Sequence, residues 1–381
     1  MAAKVAKLIG ADPAPSEREA ALIERAMREQ LWLPDRGWFA EWKDIVGLQL
    51  VHPSAAAWTF YHTLDSEVPS PLEAWQMTRQ VDTELPHFPL RGVGVPAGNY
   101  TIATTTWMPY AWSINNVVLA ETAHTALAMW EAGRAEDAYP LLKGALLDSM
   151  FVGICPGNVG MTTWFDVNRR ESQRDFGDGI GTLSRTFVEG VFGVMPDLLA
   201  GEVRLRPGFP ADWNNARMHH PDFDFAFVRE SETDRYTFHS RLPRPVVLRL
   251  QVNARRDDIG AVTVNGRAVV WRELADSVGM PKVEIVAPAA VEHAVIITWR
   301  GKSPANAPSE AIVKVGAVFN ADAGATITEI ADPQGALLDS QFSGTTLRGT
   351  VVGATGHRTV FARVSQGKLS WWQPLTLEVR E

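Results

Sequence analysis

The chain has one cysteine, Cys155, so neither an intrachain disulfide framework nor a cysteine-based zinc cage can be built from it. No apolar run approaches the roughly 18 residues that a membrane-spanning helix needs. Long basic clusters are missing too. The 36 Lys and Arg stand against 44 Asp and Glu, a formal charge of −8, which argues against gripping a nucleic-acid backbone. The nine histidines show no metal-ligand spacing. Asp175-Phe176-Gly177-Asp178 falls far short of an EF-hand loop. Gly92-Val93-Gly94-Val95-Pro96 lacks the flanking strand and helix of a dinucleotide site, and there is no Gly-x-Ser-x-Gly elbow. No cofactor or metal is therefore expected. Met1 to Pro15 contains no continuous apolar segment of the kind an export signal carries.

What is present is an ordinary globular composition of 46% hydrophobic and 21% charged residues, over a length of 381 that suits two or three domains. Tryptophan is the outlier. Nine of the 14 precede residue 165, and a broad, rigid face with one donor suits sugar stacking as well as core filling.

Helix signals dominate the first 200 residues. Ser16-Glu17-Arg18-Glu19 reads as a capping box ahead of Ile23, Met27 and Leu31, and Ser54 opens a short helix through Trp58 and His62. Ser70-Pro71-Leu72-Glu73 combines an N-cap, a first-turn proline and an N3 glutamate. A long helix is predicted from about Ala111 to Ala132, with Leu119, Ala123, Ala126, Leu127 and Trp130 as its buried stripe and Gly133 as its stop. Others follow from Ala135 to Met150, bent near Pro140, and from Thr182 to Met195. These make six helices, or three hairpins. After Pro196 the pattern alternates in short strands with turn residues between them, including a tight Val264-Asn265-Gly266-Arg267 hairpin, as in a β-sandwich. Residues 301–308 read as a linker, and Ala311 to Glu381 as a small β module.

Three segments carry chemistry. Phe151 to Ile180 has little periodicity, yet holds Trp164 and Phe165, carboxylates at Asp166, Glu171, Asp175 and Asp178, and arginines at Arg169, Arg170 and Arg174. Glycosidic cleavage needs one carboxyl to protonate the leaving oxygen and a second to activate water or attack the sugar. The same residues also fit a salt-bridged surface loop. Asp35 to Asp44 places Glu41 among Trp38, Phe39 and Trp42, as a cleft wall or as a packed helix-to-loop corner. Trp107, Tyr110, Asn115 and Asn116 set aromatics and amides at a helix start, where they suit sugar hydroxyls, N-capping or core packing.

Met161-Thr162-Thr163-Trp164-Phe165-Asp166, then Gly181 to Met195, then Gly201-Glu202-Val203-Arg204-Leu205-Arg206-Pro207-Gly208-Phe209-Pro210 resemble the closing stretch of six-hairpin glycosidases. These are (α/α)6 toroids followed by a β-sandwich, the bacterial α-L-rhamnosidases being the best-known relatives. The nearest likeness is to an uncharacterised bacterial family of that superfamily, from about Asp35 through Arg229. In the rhamnosidases a Thr-Thr-x-Trp-Glu stretch carries the general base, which the resemblance transfers to Asp166. The sequence departs from that pattern. Aspartate replaces glutamate at 166, Trp164 stands one place early, and the Asp-Glu-Arg…Gly-Trp acid motif has no counterpart beyond Asp35-Arg36-Gly37-Trp38.

The expectation is thus a multidomain α + β chain: a partial (α/α) toroid over 1–200, a β-sandwich over 201–302 and a small β module over 311–381. The resemblance implies glycosidic hydrolysis with Asp166 as base, Glu41 as the candidate acid, and Trp38, Trp42, Trp107, Tyr110, Asn115, Asn116, Trp164, Arg170 and Asp175 binding substrate. A toroid needs twelve helices, so self-association or a partner chain supplying further hairpins is expected, with the Leu119–Trp130 stripe partly open until they arrive. The expected partner is a carbohydrate, with neither nucleic acid nor membrane, and full-length relatives would be periplasmic or secreted. The alternatives are a non-catalytic carbohydrate-binding or structural piece, and an α/α-toroid lyase using Tyr110, His124 and Arg170.

Overall fold

The computed structural model describes residues 1–107, 114–152, 162–166, 171–174, 177–306, 308 and 310–381, with the backbone alone for 152, 162–166 and 171–174. The chain divides into two compact units, Met1–Val191 and Phe192–Glu381.

In the first unit seven helices are found among the described residues: α1 Ala2–Leu8, α2 Ala14–Leu31, α3 Ala57–Asp65, α4 Pro71–Thr83, α5 Leu119–Glu131, α6 Ala135–Leu147 and α7 Gly177–Arg185. α5 is the centre, packed against α3, α6 and α7. The apolar stripe predicted for it is buried throughout, from Leu119 to Trp130. It is therefore not the open surface the sequence led us to expect. Gly133, at φ +84°, ends α5 and turns the chain directly into α6. Pro140 sits inside α6, which widens into a π-type turn over Asp148–Val152. The α4 capping box forms as read: Ser70 Oγ accepts from Glu73 N, and Glu73 Oε2 accepts from Ser70 N at 2.7 Å. Arg134, buried at the α5–α6 turn, donates to Thr78, Asp82 and Asp137 and lies over the Trp75 ring, tying α4 to the hairpin. A buried guanidinium is tolerable only when its donors are used in this way.

Several helix readings need correction. α2 begins at Ala14 after Pro13, so Ser16 lies inside the helix and does not cap it. None of its residues is buried and Ile23 is half exposed. α1 was not anticipated. The long helix begins at Leu119, not Ala111, because Val117–Val118 is a strand. The last one starts earlier, at Gly177, and continues past Arg185 as a wide π-type turn over Thr186–Val191; it stops short of Met195 because Val194–Asp197 is a strand. Gly190 lies within that turn against Trp130, where a Cβ would stand 2.7 Å from the indole, so close approach shapes the segment. The supposedly aperiodic loop also contains two strands, Thr162–Asp166 and Glu171–Arg174, which form a three-stranded sheet with Val117–Val118.

The second unit opens with a five-stranded sheet in the order Val194–Asp197, Glu202–Leu205, Val246–Asn253, Lys282–Ala290, Trp271–Glu273. It thus begins ahead of Gly201, where alternation first shows in the sequence. A six-stranded sheet runs Asn215–His220, Phe223–Glu230, Thr233–Ser240, Glu292–Arg300, Asp258–Val264, Arg267–Ala268. Each sheet buries alternate residues, such as Val246, Leu248, Leu250 and Val252 in one and Phe223, Phe225 and Phe227 in the other, as sheets packed face to face do. Asn265 and Gly266, both at positive φ, make the tight hairpin. Asp234 is fully buried, and accepts from Arg229, Arg255 and the Trp299 indole.

The C-terminal strands form a four-stranded and a three-stranded sheet around one core that includes Phe319, Ile327, Leu347, Val364, Trp371 and Leu375. Trp371 and Trp372 are both buried packing residues. Residues 301–308 do not behave as a loose linker at their start. Asp257 accepts from Lys302 N, its backbone N donates to Lys302 O, and Gln366 Nε2 reaches both Asp257 Oδ2 and Ser303 O.

Candidate active site

Glu41 follows the short Trp38–Phe39 strand, and its backbone N donates to His52 O at 2.9 Å. Its carboxylate accepts from Ala56 N at 3.1 Å, from Trp58 Nε1 at 2.8 Å and from Thr59 Oγ1. The residue before α3 is Ala56, which has no side-chain oxygen to cap the helix. A carboxylate 15 positions away takes that place, and its negative charge sits favourably at a helix N-terminus.

Around Glu41 the aromatics gather. Trp42 stacks on His52 at 4.3 Å and meets Trp107 edge-on at 5.7 Å, and Trp107 in turn meets Trp58 at 5.9 Å. Trp42 is 44% exposed, so it offers a ring face to solvent. Trp107 is anchored by its indole N–H on Ser54 O at 2.7 Å. Two expected binding residues are not surface groups. Trp38 is 8% exposed, with Nε1 donating to Pro53 O, and Asn116 is fully buried, with Oδ1 accepting from Val117 N. Both build the local chain path. Asn115, at φ +54°, takes the turn before that strand, and its backbone N donates to Thr105 Oγ1.

Backbone pairing connects these groups to the Asp166 strand. Ala57 N donates to Thr104 O, and Thr104 N donates to Asn116 O, both at 2.8 Å. Val117 and Val118 pair with Phe165 and Trp164, so the antiparallel register carries Asp166 toward the Asn116 end of the ladder. On the other side Asp166 pairs with Glu171. Tyr110, Arg170 and Asp175 lie outside the described residues.

The same face of α3 reveals a second cluster that the sequence reading missed apart from naming His124. Trp58, Tyr61, His62 and Asp65 recur at helical spacing. Tyr61 donates its hydroxyl to Glu121 in the first turn of α5, and its ring packs on His62 at 4.6 Å and on His124 at 4.7 Å. Asp65 pairs with Arg185, which also holds Glu189. Burial pushes the Glu121 carboxyl up, the bond from Tyr61 opposes that, and the Asp178 charge adds to it. Burial, with the nearby Arg185 charge, brings His124 down to about 4, so its imidazole is neutral at neutral pH. Burial, with Glu121 beside it, raises the Tyr61 phenol. Arg185 keeps the Asp65 carboxyl low. A carboxyl whose proton affinity is raised, with further carboxylates in neighbouring segments, is an arrangement that suits acid–base catalysis. The signal in the sequence was an α3 face of Trp, Tyr, His and Asp, but its partners come from α5 and α7. Among the described residues, no cluster of three or more His, Cys, Asp or Glu is set to hold a metal ion.

No family model matches the chain, and no curated protein matches it. Among solved structures it is similar to an α-L-rhamnosidase from Dictyoglumus thermophilum, at 10% identity and TM-score 0.48, over 78% of this chain and 30% of that one. A putative kojibiose phosphorylase from the human microbiome matches at 12% identity and TM-score 0.28, over 61% and 24%. A GH127 β-L-arabinofuranosidase from Geobacillus stearothermophilus T6 matches at 10% identity and TM-score 0.28, over 85% and 59%. This chain spans less than a third of the rhamnosidase. At such distance these likenesses, glycosidases among them, carry no argument about this chain.

Proposed function

We propose that this chain contributes the catalytic face of a glycoside hydrolase, with Asp166 as the base that activates water. The observation that carries the reading is Glu121, a half-buried carboxyl held by Tyr61 and with its pKa raised by burial, in the first turn of α5. The Asp166 strand pairs with the strand that leads into that turn. An acid and a base on adjoining segments, beside the exposed Trp42 and its Trp107 neighbour, suit protonation of a leaving oxygen and attack by water on a stacked sugar. Glu41 is the acid candidate visible in sequence. Its three donor partners favour instead a role in positioning α3 and Trp58. In this reading α3–α4 and α5–α6 are hairpins of an α/α toroid, completed by a second copy or a partner chain. The test is hydrolysis of aryl glycosides by the assembled protein, with Glu121→Gln and Glu41→Gln compared across pH. Loss of the alkaline limb in Glu41→Gln but not in Glu121→Gln would reverse the assignment.

A polysaccharide lyase is the second reading, favoured by one contact. The neutral His124 ring lies 4.7 Å from Tyr61, and together they could abstract a proton beside a uronate. An unsaturated, ultraviolet-absorbing product from a uronan would decide for the lyase.

A further inference from the structure

The outer face of the six-stranded sheet carries a row of alternating imidazoles and carboxylates. His219 pairs in register with Asp224, Asp224 with His239, and His239 with Glu292, across four neighbouring strands. The side chains follow the register. His219 Nδ1 meets Asp224 Oδ1, and His239 Nδ1 meets Glu292 Oε1 at 3.2 Å, while Arg241 holds the other Asp224 oxygen. Each ring is thereby oriented through its Nδ1.

The next outward-facing row of the same strands is Arg217, Ala226, Thr237 and Ala294. Small residues at the middle of that row, beside tall ones in the first, make a trough. Its volume is about 630 Å³, within the range of small-molecule sites.

The chemistry of the trough narrows its ligand. Asp224 and Glu292 are balanced by Arg217 and Arg241, so no net charge draws an ion. Among the described residues no metal-holding cluster exists, although two histidines and two carboxylates stand together. What remains is a line of donors and acceptors about 4.8 Å apart, the strand spacing, beside a flat floor of small residues. Hydroxyls that both donate and accept, fixed on a flat ring, match such a line. We propose that this trough is a binding site for a neutral saccharide, separate from the face of the helical unit. Only the choice of sugar as the class leans on the proposed hydrolase function; the trough itself does not.

The experiment is an NMR titration of the histidine ring signals of the full chain with cellobiose, maltose and xylobiose, with Zn2+ and inorganic phosphate as separate probes. Saturable shifts of the His219 and His239 signals are expected with at least one disaccharide. They should weaken about tenfold or more in Arg217→Ala and in Thr237→Trp, which fills the floor. Both positions face outward, and an unchanged unfolding midpoint will show that the sheet is intact. The same binding is expected in Asp166→Asn, so a failed hydrolase reading and a failed trough are told apart. Shifts with none of the disaccharides, shifts only with Zn2+ or phosphate, or full binding by Thr237→Trp would each overturn the proposal.

Discussion

The Tyr61 hydroxyl donates to the Glu121 carboxylate, joining the middle of α3 to the first turn of α5 across 60 positions of sequence. That bond fixes the orientation of the carboxyl while burial favours its protonated form. Tyr61→Phe is therefore expected to lower kcat more than it raises KM. The pH limb assigned to Glu121 should also move, because the bond opposes the upward push of burial. An unmoved pH profile would leave Tyr61 a packing residue only.

Asp166→Asn should lower hydrolysis by the active assembly about 10²–10⁴-fold, the usual contribution of a general base. The fold should stay unchanged by circular dichroism. A variant retaining more than about a tenth of the rate would move the base to another carboxylate, Asp178 being the first to test.

Glu41→Gln keeps the shape but weakens the charge-assisted bonds to Ala56 and Thr59 at the start of α3. The expected loss is about 1 kcal/mol of stability, read from denaturant midpoints, as for other helix caps. Glu41→Ala should cost more, because the Trp58 indole loses its acceptor as well.

Asp148, in the wide turn after α6, is raised to about 6 by burial. A carboxyl raised in the folded state keeps its proton after the unfolded chain has released its own. Stability therefore falls as pH rises from about 4, the ordinary carboxylate value, to about 6, and stays lower above that. Asp148→Asn should remove this slope and stabilise the first unit by about 1–3 kcal/mol at pH 7, in chemical denaturation followed at several pH values. A wild-type stability flat between pH 4 and 6 would contradict it.

Trp42–Lys43 pairs antiparallel with Val51–His52, and Ile45, Val46, Leu48 and Leu50 between them are exposed, the first at 90%. Exposed apolar clusters of this kind favour association. Analytical ultracentrifugation is expected to show mass rising with concentration, and the rise should diminish in an Ile45→Ser, Leu48→Ser double variant. Concentration-independent monomer mass would count against association.

What the sequence determined by itself is local. The Ser70–Glu73 capping box, the Gly133 stop and the Asn265–Gly266 hairpin all formed as read, because each rests on neighbours within about one turn of chain. Strand alternation after Pro196 was likewise visible, since a half-buried sheet imposes a period of two. What only the tertiary structure decided depends on distant partners. α3 is capped by Glu41 from another segment, so its true start at Ala57 carried no local sign. Val194–Asp197 became a strand because Glu202–Leu205 offered it a partner, and Gly190 marks the close packing of the turn before it on Trp130. Glu121 looked like one more helix glutamate until Tyr61 and Asp178 were folded around it. A carboxyl acquires its proton affinity from burial and nearby charge, and neither is encoded within reach of its own helix.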